Sequence, residues 1–425
     1  MSHIVIIGQD LPAVQAAEQV RRDQPDWEIS LVGLDGDEPY DPLKFPDLIA
    51  QSAQRRDVFA CTADRLKNLR IAHYTEQPVT RINLKRKTVS FQDKSRLEAD
   101  VMILAGAPKY RFPDIKGTHR GGVYHMKMPA DLDQLLKGIL DLDTVFVQAE
   151  SFYALRLALA LSRRDKEVVI CTSGTALVRD WDEESGRCLA AFLETRGIRV
   201  MPACPISEVL GDQDVKAVRL SSGKVISAEA VIFDDARPDL RIYGDDIRLY
   251  DGRIAIDGWG RTSLENIYAA GMITARPDLP SMITDTEDYR EDAPGVLASV
   301  LTGREDVPSV VAGLQTASLA EQRFDWWGSL TADEAQAYVR PAESGRYARL
   351  LVKENEITAG VIQNDEQTAR FFYGLSNDIS AEDLFRQLEE QGFEPWQDRD
   401  QPEEAEAFRV PDELSAQESP AGETK

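Results

Sequence analysis

Apolar and polar residues along this chain alternate between two periods. Short, nearly continuous apolar runs (Ile4–Ile7, Ile29–Val32, Val101–Leu104, Val145–Val147, Val168–Ile170) are separated by stretches whose apolar positions recur at helical spacing. Runs of four or five with flanking turn residues read as strands covered on both faces. The intervening stretches predict helices from about Pro12 to Arg21, Ser151 to Arg163 and Glu183 to Arg196. Pro12 suits a first helical turn, where its missing N–H costs nothing, and Gly197 suits a helix end. Strand, helix and strand in succession, twice over, predict two β-α-β units of a parallel sheet. Beyond about Val307 the texture changes to hairpin-like pairs (Ala348–Val352 with Ile357–Ile362) and a helix near Ala381–Gln391.

A chain of 425 residues exceeds one hydrophobic core, so two or three domains are expected. The apolar fraction of 43% and the charged fraction of 29% are ordinary for a globular protein. Its 49 basic against 73 acidic residues give a net charge of −24, which disfavours nucleic acid and anionic membranes as partners. No apolar run is long enough to span a bilayer. The chain enters a strand by about its third residue, leaving no room for a signal peptide, so a cytoplasmic protein is expected. Cys61, Cys171, Cys188 and Cys204 form no C-x-x-C pair, and neither they nor His3, His73, His119 and His125 show metal-ligand spacing. No metal is expected. From about Asp398 the composition turns to Glu, Pro, Gln and Ser, an acidic segment expected to be disordered.

Each β-α-β unit carries the remains of a phosphate-binding turn. The intact pattern is G-x-G-x-x-G/A, in which glycines permit the tight turn, the approach of the diphosphate and the packing of helix on strand. The first turn reads Gly8-Gln9-Asp10-Leu11-Pro12-Ala13, keeping Gly8 and Ala13 but placing a carboxylate at position 10. The second reads Gln148-Ala149-Glu150-Ser151-Phe152-Tyr153, with larger side chains at all three glycine positions. The acid that reads a ribose should follow the second strand of each unit. Asp35 is two positions late in the first unit, and Cys171 stands there in the second.

The segment Thr262-Ser263-Leu264-Glu265-Asn266-Ile267-Tyr268-Ala269-Ala270-Gly271 resembles the T-S-x-x-x-I-Y-A-A-G-D motif of the FAD-dependent pyridine nucleotide-disulfide oxidoreductases. Within them the chain looks most like the rubredoxin and ferredoxin reductase branch, also through Leu177–Asp182 and Tyr40–Leu48. The resemblance implies an α/β fold with two Rossmann-like three-layer domains, the second inserted in the first, plus a small α+β C-terminal domain. The expected division is 1–110 with 236–307 for FAD, 111–235 for NAD(P), 308–397 for the C-terminal domain and 398–425 for the tail. Carried over position by position, the FAD site would comprise Gly8, Asp10, Ala13, Lys44, Ala105, Gly106, Gly271 and Met272. Met272 stands where the family has an Asp, and Ala105-Gly106-Ala107-Pro108 lacks the family's threonine. Lys44 is the one candidate for a catalytic role, near the flavin N5. The residue that should pair with it is Leu155 rather than a glutamate.

These substitutions argue against NAD(P)H binding in the family manner and leave FAD open. The first expectation is a non-catalytic or repurposed subunit on the family scaffold. The alternative is an FAD-dependent oxidoreductase passing electrons to or from a rubredoxin- or ferredoxin-type partner. Either implies a protein partner, and neither excludes a homo-oligomer. Trp326-Trp327 could meet such a partner, although internal packing is the simpler account.

Overall fold

The computed structural model describes residues 2–8, 11–179, 181–277, 295, 297–301, 315–331, 335–343, 346–375 and 380–395. Asp10 and the acidic segment 398–425 lie outside these.

The apolar runs become strands. β1 (His3–Ile7) leads into α1 (Leu11–Asp23) and β2 (Glu28–Val32), followed later by β3 (Ile71–Tyr74) and β4 (Val101–Leu104). Ile4 to Ile7 are at most 1% exposed, as expected for a strand covered on both faces. Ala13, Ala16 and Ala17 are fully buried on α1. Their small side chains let the helix axis approach the sheet closely.

The chain then builds a second sheet from β5 (Val123–Tyr124), β6 (Thr144–Gln148), β7 (Glu167–Cys171), β8 (Arg199–Met201) and β9 (Ala230–Phe233). Between β6 and β7 runs α2 (Phe152–Ser162), and between β7 and β8 runs α3 (Glu183–Glu194). The chain returns to the first sheet with β10 (Ile267–Ala269). The first sheet therefore has the order β10-β4-β1-β2-β3 and the second β8-β7-β6-β9-β5, with every pairing parallel. The second unit is inserted into the first, and Arg237-Pro238 pairs with Tyr110-Arg111 where the chain leaves and re-enters.

Helix α2 is apolar nearly all round (Leu155, Leu157, Ala158, Leu161), the pattern of a helix covered on both sides. One side packs on its own sheet and another on the C-terminal unit, with both joined in a single core. That unit is an antiparallel sheet of β11 (Gln315–Leu319), β12 (Gln322–Trp327), β13 (Gln336–Glu343), β14 (Arg346–Lys353), β15 (Glu356–Gln363) and β16 (Glu394–Pro395), in the order β11-β12-β15-β14-β13-β16. Helices α4 (Glu366–Tyr373) and α5 (Ala381–Glu390) bury Phe372, Leu384 and Leu388 against one face of it. The tryptophans serve packing: Trp327 is 6% exposed in that second core, and Trp326 packs against the main one.

Candidate functional site

The carboxyl ends of four parallel strands converge in the first unit. Gly8 follows β1, Asp35 lies shortly beyond β2, Ala105-Gly106 follow β4 and Gly271-Met272 follow β10. In open α/β sheets, ligands bind at this edge, where the strand order reverses about the first strand. Gly8, Asp35, Ala105, Gly106 and Met272 line one recess here, with Tyr40 and Lys127 at another part of its wall. Gly8 has a φ of +99°, and a Cβ on it would fall 2.3 Å from the Gly106 backbone nitrogen. Only glycine allows that crossing.

The polar inventory of the recess is mixed. Asp35 is well placed for a ribose, although one carboxylate oxygen accepts the Tyr40 hydroxyl at 2.9 Å and the other the Asp37 amide at 3.2 Å. Met272 is 4% exposed, and its thioether is at best a weak acceptor. Between the described residues the free space is about 20 Å³, room for roughly one water. The backbone arrangement thus fits a dinucleotide, and Asp35 fits its ribose. Position 272 does not supply the expected acceptor.

Lys44, expected beside the flavin ring, is exposed at the end of the short turn Pro42–Lys44 and lies outside the residues lining the recess. Its expected counterpart, Leu155, is fully buried in the core. The buried lysine is Lys127, 2% exposed. Its ammonium lies 2.9 Å from Asp234 Oδ1 and 4.7 Å from the centre of the Tyr153 ring. Met126, just before it, has a left-handed φ of +56°, uncommon outside glycine. The Asp131 carboxylate accepts the Met126 amide and the Tyr153 hydroxyl donates to the Met126 carbonyl, which together fix this turn. Nothing in the local sequence His125-Met126-Lys127 announces such a lysine. The acidic pair Asp234-Asp235 at the carboxyl end of β9 was the legible signal, because charge at that edge of a parallel sheet marks a site.

In the second unit, all three side chains replacing glycines have internal partners. Gln148 Oε1 accepts the Ile206 amide at 2.8 Å, Glu150 Oε1 accepts the Ser173 amide at 3.3 Å, and Tyr153 reaches Met126. Asp234 is fully buried. Burial alone would raise its carboxyl, but Lys127, the Ser151 hydroxyl and the Glu150 amide outweigh that and hold it below the usual carboxylate range. Asp235 goes the other way, pushed up to about 6 by burial and by the adjacent Asp234 and Glu150 charges. Cys171 is fully buried and its thiol is pushed up to about 12, chiefly by burial, so it is no thiolate near neutral pH. All four cysteines are free thiols. His125 sits 2.6 Å from Asp131 as a buried packing pair. Among the described residues, no group of three or more His, Cys, Asp or Glu could hold a metal, and no helix is long and apolar enough to cross a membrane.

Comparison with known proteins points the same way as the strand edges. The profile of the pyridine nucleotide-disulphide oxidoreductases matches residues 2–286. The ferredoxin reductase component of chlorobenzene dioxygenase from Cupriavidus sp. (strain PS12) is 23% identical over 278 residues, covering 65% of this chain and 68% of that protein. Rhodocoxin reductase from Rhodococcus erythropolis is 25% identical over 284 residues, covering 64% and 65%. Among solved structures, the covalent putidaredoxin reductase–putidaredoxin complex aligns with a TM-score of 0.74 at 16% identity, over 91% of this chain and 99% of that one. NADH:rubredoxin oxidoreductase from Clostridium acetobutylicum aligns with a TM-score of 0.72, also at 16% identity and over 91% and 99%. With two β-α-β units nested as described, this chain belongs to the pyridine nucleotide-disulphide oxidoreductase family.

Proposed function

We propose that this protein is an FAD-dependent oxidoreductase that exchanges electrons with a small redox-carrier protein of the ferredoxin or rubredoxin type. The observation that carries this reading is the convergence of Gly8, Asp35, Gly106 and Met272 at the carboxyl ends of four strands, with buried Lys127 on the same recess. A bound flavin supplies the capacity to take up electrons in pairs and pass them on singly. The chain's own residues would orient it: Asp35 toward the ribose, and the backbone of Gly8 and Gly106 along the diphosphate path. Lys127, its charge balanced by Asp234, would take the place beside the ring system that the resemblance gave to Lys44. On this reading residues 1–110 with 236–307 form the flavin half and 111–235 the second nucleotide-type half. Residues 308–397 form the unit that closes over α2. The carrier partner is supported by the relatives, several of which are named as ferredoxin reductases.

A second reading, the family scaffold kept as a non-catalytic subunit, is favoured by one observation: buried Met272 in place of the expected acceptor. The absorption spectrum of the purified protein separates the two. A yellow protein releasing close to one FAD per chain on denaturation, and bleached and reoxidised by a reduced and oxidised carrier protein, supports electron transfer. A colourless protein that refuses added FAD establishes the scaffold.

A further inference from the structure

The diphosphate of a dinucleotide sits at the N-terminus of the helix that follows the first strand of a β-α-β unit, where free amides and the helix dipole favour an anion. In the second unit that place is taken from within the chain. Asp234, at the end of the neighbouring strand β9, accepts the Ser151 hydroxyl at 2.6 Å and the Glu150 amide at 3.3 Å through Oδ2. Its Oδ1 accepts Lys127 at 2.9 Å, and both partners of this pair are essentially removed from solvent. Ser151 caps α2, its oxygen accepting the Ala154 amide at 3.4 Å, so the Asp234 carboxylate is held against the capping residue of this helix.

The rest of the nucleotide path is also taken. The Glu150 carboxylate reaches past the end of β7 to the Ser173 amide, the edge at which a ribose would be read, and lies 3.7 Å from Arg179. Phe152, the first residue of α2, stacks on Trp326 from β12 with ring centres 5.0 Å apart, and Trp181 packs edge-on at 5.3 Å. An incoming diphosphate would meet the carboxylates of Asp234 and Glu150, and the rings behind it meet a closed aromatic cluster.

We infer that Asp234, with Glu150 and the Phe152–Trp326 stack, is a built-in occupant of the second nucleotide cleft. It excludes pyridine nucleotides, and removing its carboxylate opens a site for small oxyanions, carboxylate or phosphate. The plug is independent of flavin occupancy. A colourless protein would sink the electron-transfer reading and leave this one standing, whereas nucleotide binding in this cleft would do the reverse.

The test uses the full chain. NADH and NADPH are titrated by calorimetry and by quenching of tryptophan fluorescence, since Trp181 and Trp326 pack on Phe152 at the start of α2. No saturable binding up to millimolar nucleotide is expected for the unaltered protein. Asp234→Ala is expected to lower the melting temperature, with sodium formate or pyrophosphate restoring it saturably and sodium chloride of equal ionic strength failing to. Formate should leave the melting temperature of the unaltered protein where chloride leaves it. If Asp234→Ala does not fold, Asp234→Ser carries the same measurement, because its hydroxyl still offers Lys127 an acceptor while leaving room for an anion. Saturable NADH or NADPH binding that quenches these tryptophans in the unaltered protein overturns the inference. So does a variant whose stability responds no better to formate or pyrophosphate than to chloride.

Discussion

The two nucleotide-type units of this protein share a sheet and helix plan and have diverged at their turns in opposite ways. In the first, two of the three small residues of the phosphate turn survive at Gly8 and Ala13, and the losses are the middle glycine, replaced in sequence by Asp10, the threonine missing from Ala105–Pro108, and one acceptor, replaced by Met272. In the second, every glycine position holds a larger side chain, yet each has found a partner, and Asp234 has moved into the anion position. Large or charged side chains at a binding turn therefore mean different things according to what they touch. A buried charge without partners would unfold the turn, whereas a satisfied one converts a ligand site into core.

The contrast can be broken most severely at Lys127. Lys127→Met leaves the Asp234 carboxylate buried without its cation and should cost about 3–5 kcal/mol in urea unfolding. Adding Asp234→Leu should return a large part of that loss, and a pair of independent, additive losses would show that the two buried charges are not coupled.

Gly8→Ala probes the first unit. The new Cβ would meet backbone at 2.3 Å in a left-handed conformation, so a loss of roughly 2–3 kcal/mol is expected, with weaker FAD uptake. An unchanged melting temperature would mean that the crossing of β1 and β4 ends is looser than described.

Asp235 sharpens the comparison through pH. Its native carboxyl, raised to about 6, binds protons more tightly than the unfolded chain's, so its contribution favours folding at low pH and is lost as pH rises through about 4 to 6. Asp235→Asn should therefore stabilise the protein above pH 6 by about 1–2 kcal/mol and flatten that part of the profile. An unchanged slope would place the origin of the pH dependence elsewhere.

The smallest effect belongs to Lys44. Being exposed, Lys44→Ala should change stability by less than about 0.5 kcal/mol and leave the flavin spectrum alone. A shifted spectrum would restore it as the residue near N5 in place of Lys127.

Much of this molecule could be read from its letters. Period decided the elements: the helices expected at Ser151–Arg163, Glu183–Arg196 and Ala381–Gln391 occur as Phe152–Ser162, Glu183–Glu194 and Ala381–Glu390. The two β-α-β units and the motif Thr262–Gly271 are local in sequence and carried the family resemblance, which in turn implied the second Rossmann-like unit nested in the first. Even the loss of glycines in the second turn was plain from Gln148, Glu150 and Tyr153. What their side chains do was not. Lys127 and Asp234 are 107 residues apart, and Phe152 meets a tryptophan from the C-terminal sheet. Lys44 and Lys127 are alike as letters, and only tertiary packing, with Asp234 and Tyr153 against Lys127, buries one and exposes the other. Periodicity fixes which face of an element is apolar. Which distant charge or ring arrives at a strand's end depends on how whole sheets dock, and only the tertiary structure decides it.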